Sequence, residues 1–364
     1  MGVSFNAQKT KVLTISSNRG EHLPLIFNNM QLQEVDSHKH LGLLFHNSLS
    51  WHLHIISLHQ RAMRHVNRLR SILNLVPRFA VFSIYNSFIL PIFDYGSVVY
   101  DTCSQSDALP LDSAQTTAAK IITGCIQTTT NDAVLNDISL VKLGTRREKH
   151  ILLYYYKTMF GMASPTLHSL IPKMYKDLSP YMLRNSLNVQ IPLAKKNTFF
   201  NSFFQKAASL WNALPVFVKS SATFSSFKLR LETFYCGSKH NCWHLHGSNP
   251  RNTSLRCRLR LGHSVLNLNK RTYRMCLCGN NETEEHLLLN CSLHSVLRVD
   301  LMQSVKSILL KEGLQDLLSS VLHDRSSLFQ LLLYGHPSLK LKPTAKMYNA
   351  VSKYLELTNR LTSP

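Results

Sequence analysis

The stretch Cys276 to Cys291, CLCGNNETEEHLLLNC, constrains this chain more than any other. It spaces three thiols and one imidazole as C-x-C-x7-H-x4-C, at Cys276, Cys278, His286 and Cys291. Three cysteines and one histidine are a complete donor set for a structural Zn²⁺, a tetrahedral ion with sulfur and nitrogen ligands. Gly279 and Asn280 suit the sharp turn that must follow the first two ligands. His286 and Cys291 are five positions apart, about one and a half helical turns, so a short helix brings them near one face. The single residue between the first two thiols is tighter than the common gap of roughly two to four. The plainer alternative is unrelated cysteines beside a helix. Arg256, Arg258, Arg260, Lys270, Arg271 and Arg274 precede the stretch, and His294 and Arg298 follow it. A small metal clip between basic segments has the form of a nucleic-acid grip.

Charge points the same way. Lys and Arg total 41 against 20 Asp and Glu, a formal net charge of +21. A compact chain repels itself at that charge unless a polyanion offsets it, and phosphate backbones are the usual partner. The alternative is a merely soluble basic protein. With 364 residues and 44% hydrophobic content, about two or three domains with buried cores are expected. Eight cysteines, five of them scattered (Cys103, Cys125, Cys236, Cys242 and Cys257), make no disulfide framework. They fit a reducing compartment, so the expected location is intracellular, in the nucleus, the cytoplasm or both. Met1 to Gly20 has no apolar core of a signal peptide. Met1-Gly2 invites myristoylation, but Asn6 stands where Ser or Thr is needed. The most apolar run, Phe79 to Tyr100, contains Ser83, Asn86, Pro91 and Asp94, which favours a buried helix over a membrane span.

In chain order, residues 1–46 read as β-rich. Lys11 to Ser16 alternates weakly, Leu25 to Phe27 enters a turn at Asn28-Asn29, and His38 to Phe45 reads as a strand containing Gly42. The clearest amphipathic helix spans 50–75, with Ser50 as N-cap and Ile55, Leu58, Ala62, Val66, Leu69 and Leu73 on one face. Arg61, Arg64 and Arg68 form a second stripe with the same period, either a solvated face or one that tracks a nucleic-acid backbone. An apolar helix follows from Phe79 to Leu90, stopped by Pro91. Another runs from Asp112 to Ile122, with Gly124 as its C′ residue.

Several short motifs in this order resemble one family: Asn6-Ala7-Gln8-Lys9-Thr10-Lys11, Lys39-His40-Leu41-Gly42, Ser50-Trp51 with His54, Tyr85, Leu90-Pro91-Ile92-Phe93-Asp94-Tyr95-Gly96, Leu111-Asp112 with Gln115, and Ile121-Ile122-Thr123-Gly124. They continue through Leu143, Arg146-Arg147, Ile171-Pro172, Leu183-Arg184-Asn185, Ser202-Phe203-Phe204, Trp211-Asn212-Ala213-Leu214-Pro215, Phe227-Lys228, the Cys276–Cys291 cluster and Leu333-Tyr334-Gly335. The family is the reverse transcriptase of non-LTR (LINE-type, jockey-like) retrotransposons, and the resemblance spans nearly the whole chain. It implies a mainly α fold with a small β portion at the N-terminus. Residues 1–46 would be the end of a polymerase palm with a primer-grip-like hairpin at Leu41-Gly42, and Lys9 the candidate proton donor to the leaving pyrophosphate. Residues 47–125 would be a thumb-like helical bundle and 126–250 a mostly helical basic linker. Residues 251–295 would be the CCHC zinc knuckle, and 296–364 helices that cover it. Implied partners are RNA, DNA or an RNA–DNA hybrid, with no membrane.

The family's catalytic aspartates, which hold two Mg²⁺ ions, lie upstream of the Asn-x-x-Lys-Thr segment, where this chain has almost nothing. No Tyr-x-Asp-Asp occurs, and Asp94, Asp101, Asp107 and Asp112 are isolated. The expectation is therefore a nucleic-acid-binding fragment without catalysis of its own, Mg²⁺ entering only if the missing palm is supplied upstream or by another chain. A zinc-stabilised helical protein that binds other proteins is the alternative.

The remaining stretches carry weaker signals. Helices are expected at Arg146–Phe160, Phe199–Leu210 and Phe224–Phe234, the last capped by Thr223 or Ser225, with Lys195-Lys196, Lys206, Lys219, Lys228 and Arg230 keeping the region basic. Four more are expected at Val296–Leu310, Leu314–Leu322, Leu328–Leu333 and Lys346–Leu361. Cys236, Cys242, His244 and His246, spaced C-x5-C-x-H-x-H, suggest a second metal site, and an exposed polar turn is the preferred reading. The histidines between His38 and His65 read as surface and helix residues. Arg256, Arg258 and Arg260 recur with period two: an extended segment points all three toward phosphates, and a helix spreads them around.

Overall fold

In a computed structural model the chain is mainly helical, with a small β portion at its N-terminus. The structure describes residues 6–15, 23–178, 185–191, 193–195, 197–200, 202–236, 245–246, 249–262 and 275–358. Leu183, Arg184, Lys196, Cys242, His244, Lys270, Arg271, Arg274 and Leu361, singled out above, lie outside them. Two compact units form. One gathers Met1–Met63, Pro91–Ala114 and Lys142–Ser238; the other gathers Arg64–Leu90, Gln115–Val141 and Lys239–Pro364. These units do not follow the five consecutive stretches expected from the sequence, because apolar faces far apart in the chain share each core.

Among its described residues the first unit holds three separate two-stranded pairs. Ile26–Phe27 and Met30–Gln31 close on Asn28 and Asn29, both at positive φ (51° and 57°), as a tight hairpin turn requires. The strand read from the residues over 38–45 is a second hairpin, with its corner where the resemblance expects one. Ser37–His40 pairs antiparallel with Leu43–His46, and Leu41 and Gly42 turn the corner at φ 45° and 84°. Tyr95 and Gly96 pack on this hairpin. The Tyr95 hydroxyl donates to the Leu41 carbonyl at 2.6 Å, and a Cβ on Gly42 would lie 3.1 Å from the Tyr95 ring.

The unit's core is built on the helices Leu143–Met159, Phe203–Ala213 and Phe224–Cys236. Tyr156 stacks on Phe227 at 4.4 Å, and Trp211 is fully buried beside them. The Trp211 indole donates to the Leu187 carbonyl, and the Asn212 side-chain amide brackets Val189, donating to its carbonyl and accepting from its N–H, all at 2.9 Å. The Trp-Asn-Ala-Leu-Pro motif is thus a clip that fastens residues 187–189 to the core. Thr223 caps the last of these helices: its Oγ1 accepts from the Ser226 N–H at 3.2 Å, and the Ser226 Oγ accepts from the Thr223 N–H at 3.3 Å.

In the second unit one apolar core joins Leu255 and Leu259, Leu287 and Leu288, Leu301 and Val305, Leu331 to Leu333, and Met347 to Leu355. Residues 251–295 and 296–358 are therefore not separable modules. The expected C-terminal helices are Ser295–Lys311, Gln315–His323, Arg325–Tyr334 and Leu341–Leu357. The apolar helix expected to stop at Pro91 continues to Asp94. Its backbone widens into a π turn over Tyr85–Ile89, where the Leu90 N–H reaches back to the Tyr85 carbonyl, just before the proline removes a donor. The helix read as Asp112–Ile122 starts earlier and spans Gln105–Thr123.

Gly124 ends that helix at φ +70°, and a Cβ there would lie 2.4 Å from Ser254 Oγ and 2.6 Å from Ser254 Cβ. Left-handed backbone and close packing coincide, so Gly124→Ala is expected to cost about 2 kcal/mol or more. Urea denaturation measures this, and an unshifted midpoint would refute it.

Candidate metal centre

The Cys276–Cys291 segment folds around its four donors. The Gly279 N–H donates to the Cys276 carbonyl at 2.8 Å, and the Cys276 N–H to the Asn280 carbonyl at 2.7 Å. This turn needs Gly279 at φ +89°, so glycine follows the second thiol. Thr283 Oγ1 accepts from the His286 N–H at 3.0 Å and starts the next turn. That turn, His286–Asn290, is π-helical rather than α-helical: the Cys291 N–H donates to the His286 carbonyl at 2.7 Å. A five-residue repeat of this kind keeps two ligands five apart on one side.

Cys276 Sγ lies 3.6 Å from Cys291 Sγ, and Cys278 Sγ lies 3.2 Å from His286 Nε2. All four ligand atoms fall within 4.8 Å of one another. A tetrahedral ion with metal–sulfur bonds of about 2.3 Å sets its sulfurs about 3.8 Å apart, so the group can hold a metal ion. Cys276, His286 and Cys291 are buried and Cys278 half-buried. Four protein donors complete a tetrahedron and leave no position for substrate, which is the arrangement of a structural site. Hydrogen bonding from the Asn280 backbone amide holds the Cys278 thiol down to about 6, while burial pushes Cys276 up to about 11.

The surroundings fasten the loop to the second unit's core. Arg298 donates from Nε to the Leu288 carbonyl at 3.0 Å and from Nη2 to the Cys291 carbonyl at 2.6 Å. The Tyr354 hydroxyl donates to the Leu287 carbonyl at 2.6 Å. Arg298, expected as part of a basic grip, is thus committed to the loop backbone.

The arginines of 256–260 require a larger correction. Pro250–Arg260 is a helix, capped by Asn249, whose side chain accepts from the Arg251 and Asn252 N–H groups. Arg256 is fully buried, donating to the Tyr348 carbonyl at 2.9 Å and Ser352 Oγ at 3.0 Å with its guanidinium 4.4 Å from the Tyr348 ring centre. Arg258 donates to the Gly124 carbonyl at 2.7 Å. Arg260 donates to Asp137 from Nε and Nη2 at 3.0 and 2.8 Å and stacks 4.5 Å from Tyr334. These side chains hold helix ends and loops together and do not form an exposed row for phosphates.

Elsewhere, Arg64 and Arg68 are exposed, and no ion pair engages either among the described residues, while Arg61 is half-buried near His54. His54 departs from its expected surface place. It is 3% exposed, its Nδ1 accepts from the Leu44 N–H at 3.3 Å, and burial lowers its pKa. Lys9 is exposed at the end of a short turn over Ala7–Lys9, and Leu41 is exposed at the hairpin tip. Asp94 pairs with Arg146, Asp101 with Arg147 and Lys206, and Asp107 with His52. Among the described residues the Cys276 cluster is the one group of three or more donors able to hold a metal. No helix among them is long and apolar enough to cross a membrane. No protein family, curated protein or solved structure matches the chain.

Proposed function

We propose that this chain grips nucleic acid through backbone contacts, as the carboxyl-terminal portion of a LINE-type reverse transcriptase would, and that Zn²⁺ in the Cys276, Cys278, His286 and Cys291 group is structural. The observation that carries the reading is a net charge of +21 combined with the exposed Arg64 and Arg68 on the His52–Ile72 helix. The resemblance supports it from a second side, because two of its motifs meet in space: Tyr95 and Gly96 pack on the Leu41-Gly42 hairpin.

Filter binding to RNA, DNA and an RNA–DNA hybrid across salt concentrations tests the proposal. Affinity is expected to fall steeply with salt. Replacing Arg64 and Arg68 together by Ala should flatten the log–log slope by about 1.4 to 1.8, since each lost phosphate contact removes about 0.7 to 0.9. Affinity indifferent to ionic strength would reject it.

A second reading rests on a separate observation. Leu293, in the turn Ser292–His294, and Val296 and Val299, at the start of the Ser295–Lys311 helix, step by three and are all exposed, as is Leu277 between the first two thiols. A protein partner on that face would be captured equally well after nuclease treatment.

A further inference from the structure

Three of the four donors in the metal centre are sealed and one is open. Cys276 is 5% exposed, His286 6% and Cys291 0%, whereas Cys278 is half-buried between the exposed Leu277 and Gly279. A small solute therefore meets the Cys278 sulfur first. Cys276 and Cys291 bring their sulfurs to 3.6 Å of each other, and all four ligand atoms lie within 4.8 Å of one another. The exposed Asn280 donates from its side-chain amide to the Cys278 sulfur at 3.6 Å. An accessible sulfur with a second thiol in reach is the arrangement in which oxidation goes on to a disulfide.

The same segment carries part of a core. Leu287 and Leu288 lie in the turn His286–Asn290, between two of the donors, and both are buried. An ion bound to all four donors ties that turn to the turn at Cys276–Asn280. A sulfur–sulfur bond of about 2.0 Å draws two sulfurs together and removes both from the ligand set. Two donors then remain where a structural site needs four. A change at the open sulfur is thereby felt by the packed leucines.

We infer that the metal centre is a redox switch, opened by a peroxide at Cys278 and locked open by a disulfide to Cys291. The inference rests on the structural-zinc reading above. The Cys278 sulfur attacks one oxygen of hydrogen peroxide. A sulfur–oxygen bond forms, the oxygen–oxygen bond breaks, and the sulfur gives up two electrons. The second oxygen leaves as hydroxide and takes a proton from solvent to become water. The Cys291 sulfur then attacks Cys278: a sulfur–sulfur bond forms, the sulfur–oxygen bond breaks, and that oxygen also leaves as hydroxide and is protonated to water. Two thiolates, one peroxide and two protons thus become one disulfide and two waters. Cys276 and His286 are left as two donors, which do not hold the ion. Cys291 is the partner because Cys276 stands two residues from Cys278 inside the hydrogen-bonded turn Cys276–Gly279, where a disulfide would be strained.

The full chain, loaded with zinc, is titrated with hydrogen peroxide while a metallochromic indicator reports free zinc and dimedone traps sulfenic acids for peptide mass spectrometry. One zinc should be released per disulfide formed, with dimedone on Cys278 ahead of Cys276 and Cys291, and Cys278–Cys291 as the final link. The thermal midpoint should fall by about 10 °C, and a phosphine reductant with added zinc should restore it. Cys278→His keeps a zinc donor and removes the open sulfur, so peroxide should strip its zinc at least about tenfold more slowly. Cys103→Ser, at a half-buried thiol outside the cluster, should release zinc at the wild-type rate. The trapping and the disulfide map are read on the wild type, so they decide the matter even where the histidine variant takes up no zinc. Zinc that stays bound while Cys103 is oxidised, sulfenic acid appearing first at Cys276 or Cys291, or a disulfide that omits Cys278 would overturn the switch and leave the zinc reading standing. A chain that takes up no zinc would overturn both.

Discussion

Removing the metal with a strong chelator, or replacing Cys291 by Ser, is expected to lower the thermal midpoint of the chain by about 10 °C, a loss of about 3 to 5 kcal/mol. The ligand loop is part of a core. Leu287 and Leu288 sit inside the π turn between His286 and Cys291, and both are buried with Leu301, Leu331 and Met347. Without an ion, that turn keeps the Cys291-to-His286 backbone bond and the carbonyl contacts of Arg298 and Tyr354. Those contacts are why the expected loss is smaller than the roughly 10 kcal/mol or more that zinc supplies to isolated finger peptides. Burial pushes Cys276 up to about 11, so metal uptake at neutral pH displaces its proton, and affinity should fall as the solution is acidified. Calorimetry with elemental analysis checks this: one zinc per chain in the wild type and in Cys103→Ser, and none in Cys291→Ser. A midpoint that ignores the chelator would show that the loop stands without its ion.

The elements legible in the sequence were those whose packing is local. Ile55, Leu58, Ala62, Val66 and Leu69 are all buried on one face of the His52–Ile72 helix, because a 3.6-residue period needs no knowledge of the partner. The Asn28-Asn29 turn was legible because asparagine tolerates positive φ. The Leu41-Gly42 turn was not legible from the residues themselves, only from the resemblance. A leucine at φ 45° carries no turn signal, and the hydroxyl that steadies it, from Tyr95, is 54 residues away. The metal ligands were readable from spacing alone, but the π turn that brings His286 and Cys291 together was not. The arginines of 256–260 were misread for the same reason as Leu41. Their acceptors, the carbonyls of Gly124, Leu333 and Tyr348 and the carboxylate of Asp137, lie 73 to 134 residues distant. The cavity lined by Asp101 and Lys206 has no local signature either, since residues near 101 and near 205 meet only after folding.

The pairing of Arg260 with Asp137 should be the most sensitive polar contact in the second unit. The two side chains are 9% and 4% exposed, and the guanidinium meets Asp137 Oδ1 through two N–H groups. Asp137→Ala leaves a buried cation without its counter-charge, which is expected to cost about 3 to 5 kcal/mol. Replacing both partners at once by apolar residues, Asp137→Leu with Arg260→Met, removes the stranded charge and should recover most of that loss. The same pair separates a structural arginine from a phosphate-binding one. If Arg260 gripped nucleic acid, the double variant would flatten the salt dependence of binding by about 0.7 to 0.9 per contact. With its guanidinium fastened to Asp137, the Leu333 carbonyl and the Tyr334 ring, the slope should instead match that of the wild type. Urea titration and filter binding on the same preparations give both readings. An Asp137→Ala chain with an unchanged midpoint, or a double variant with a flatter slope, would return Arg260 to the nucleic-acid surface.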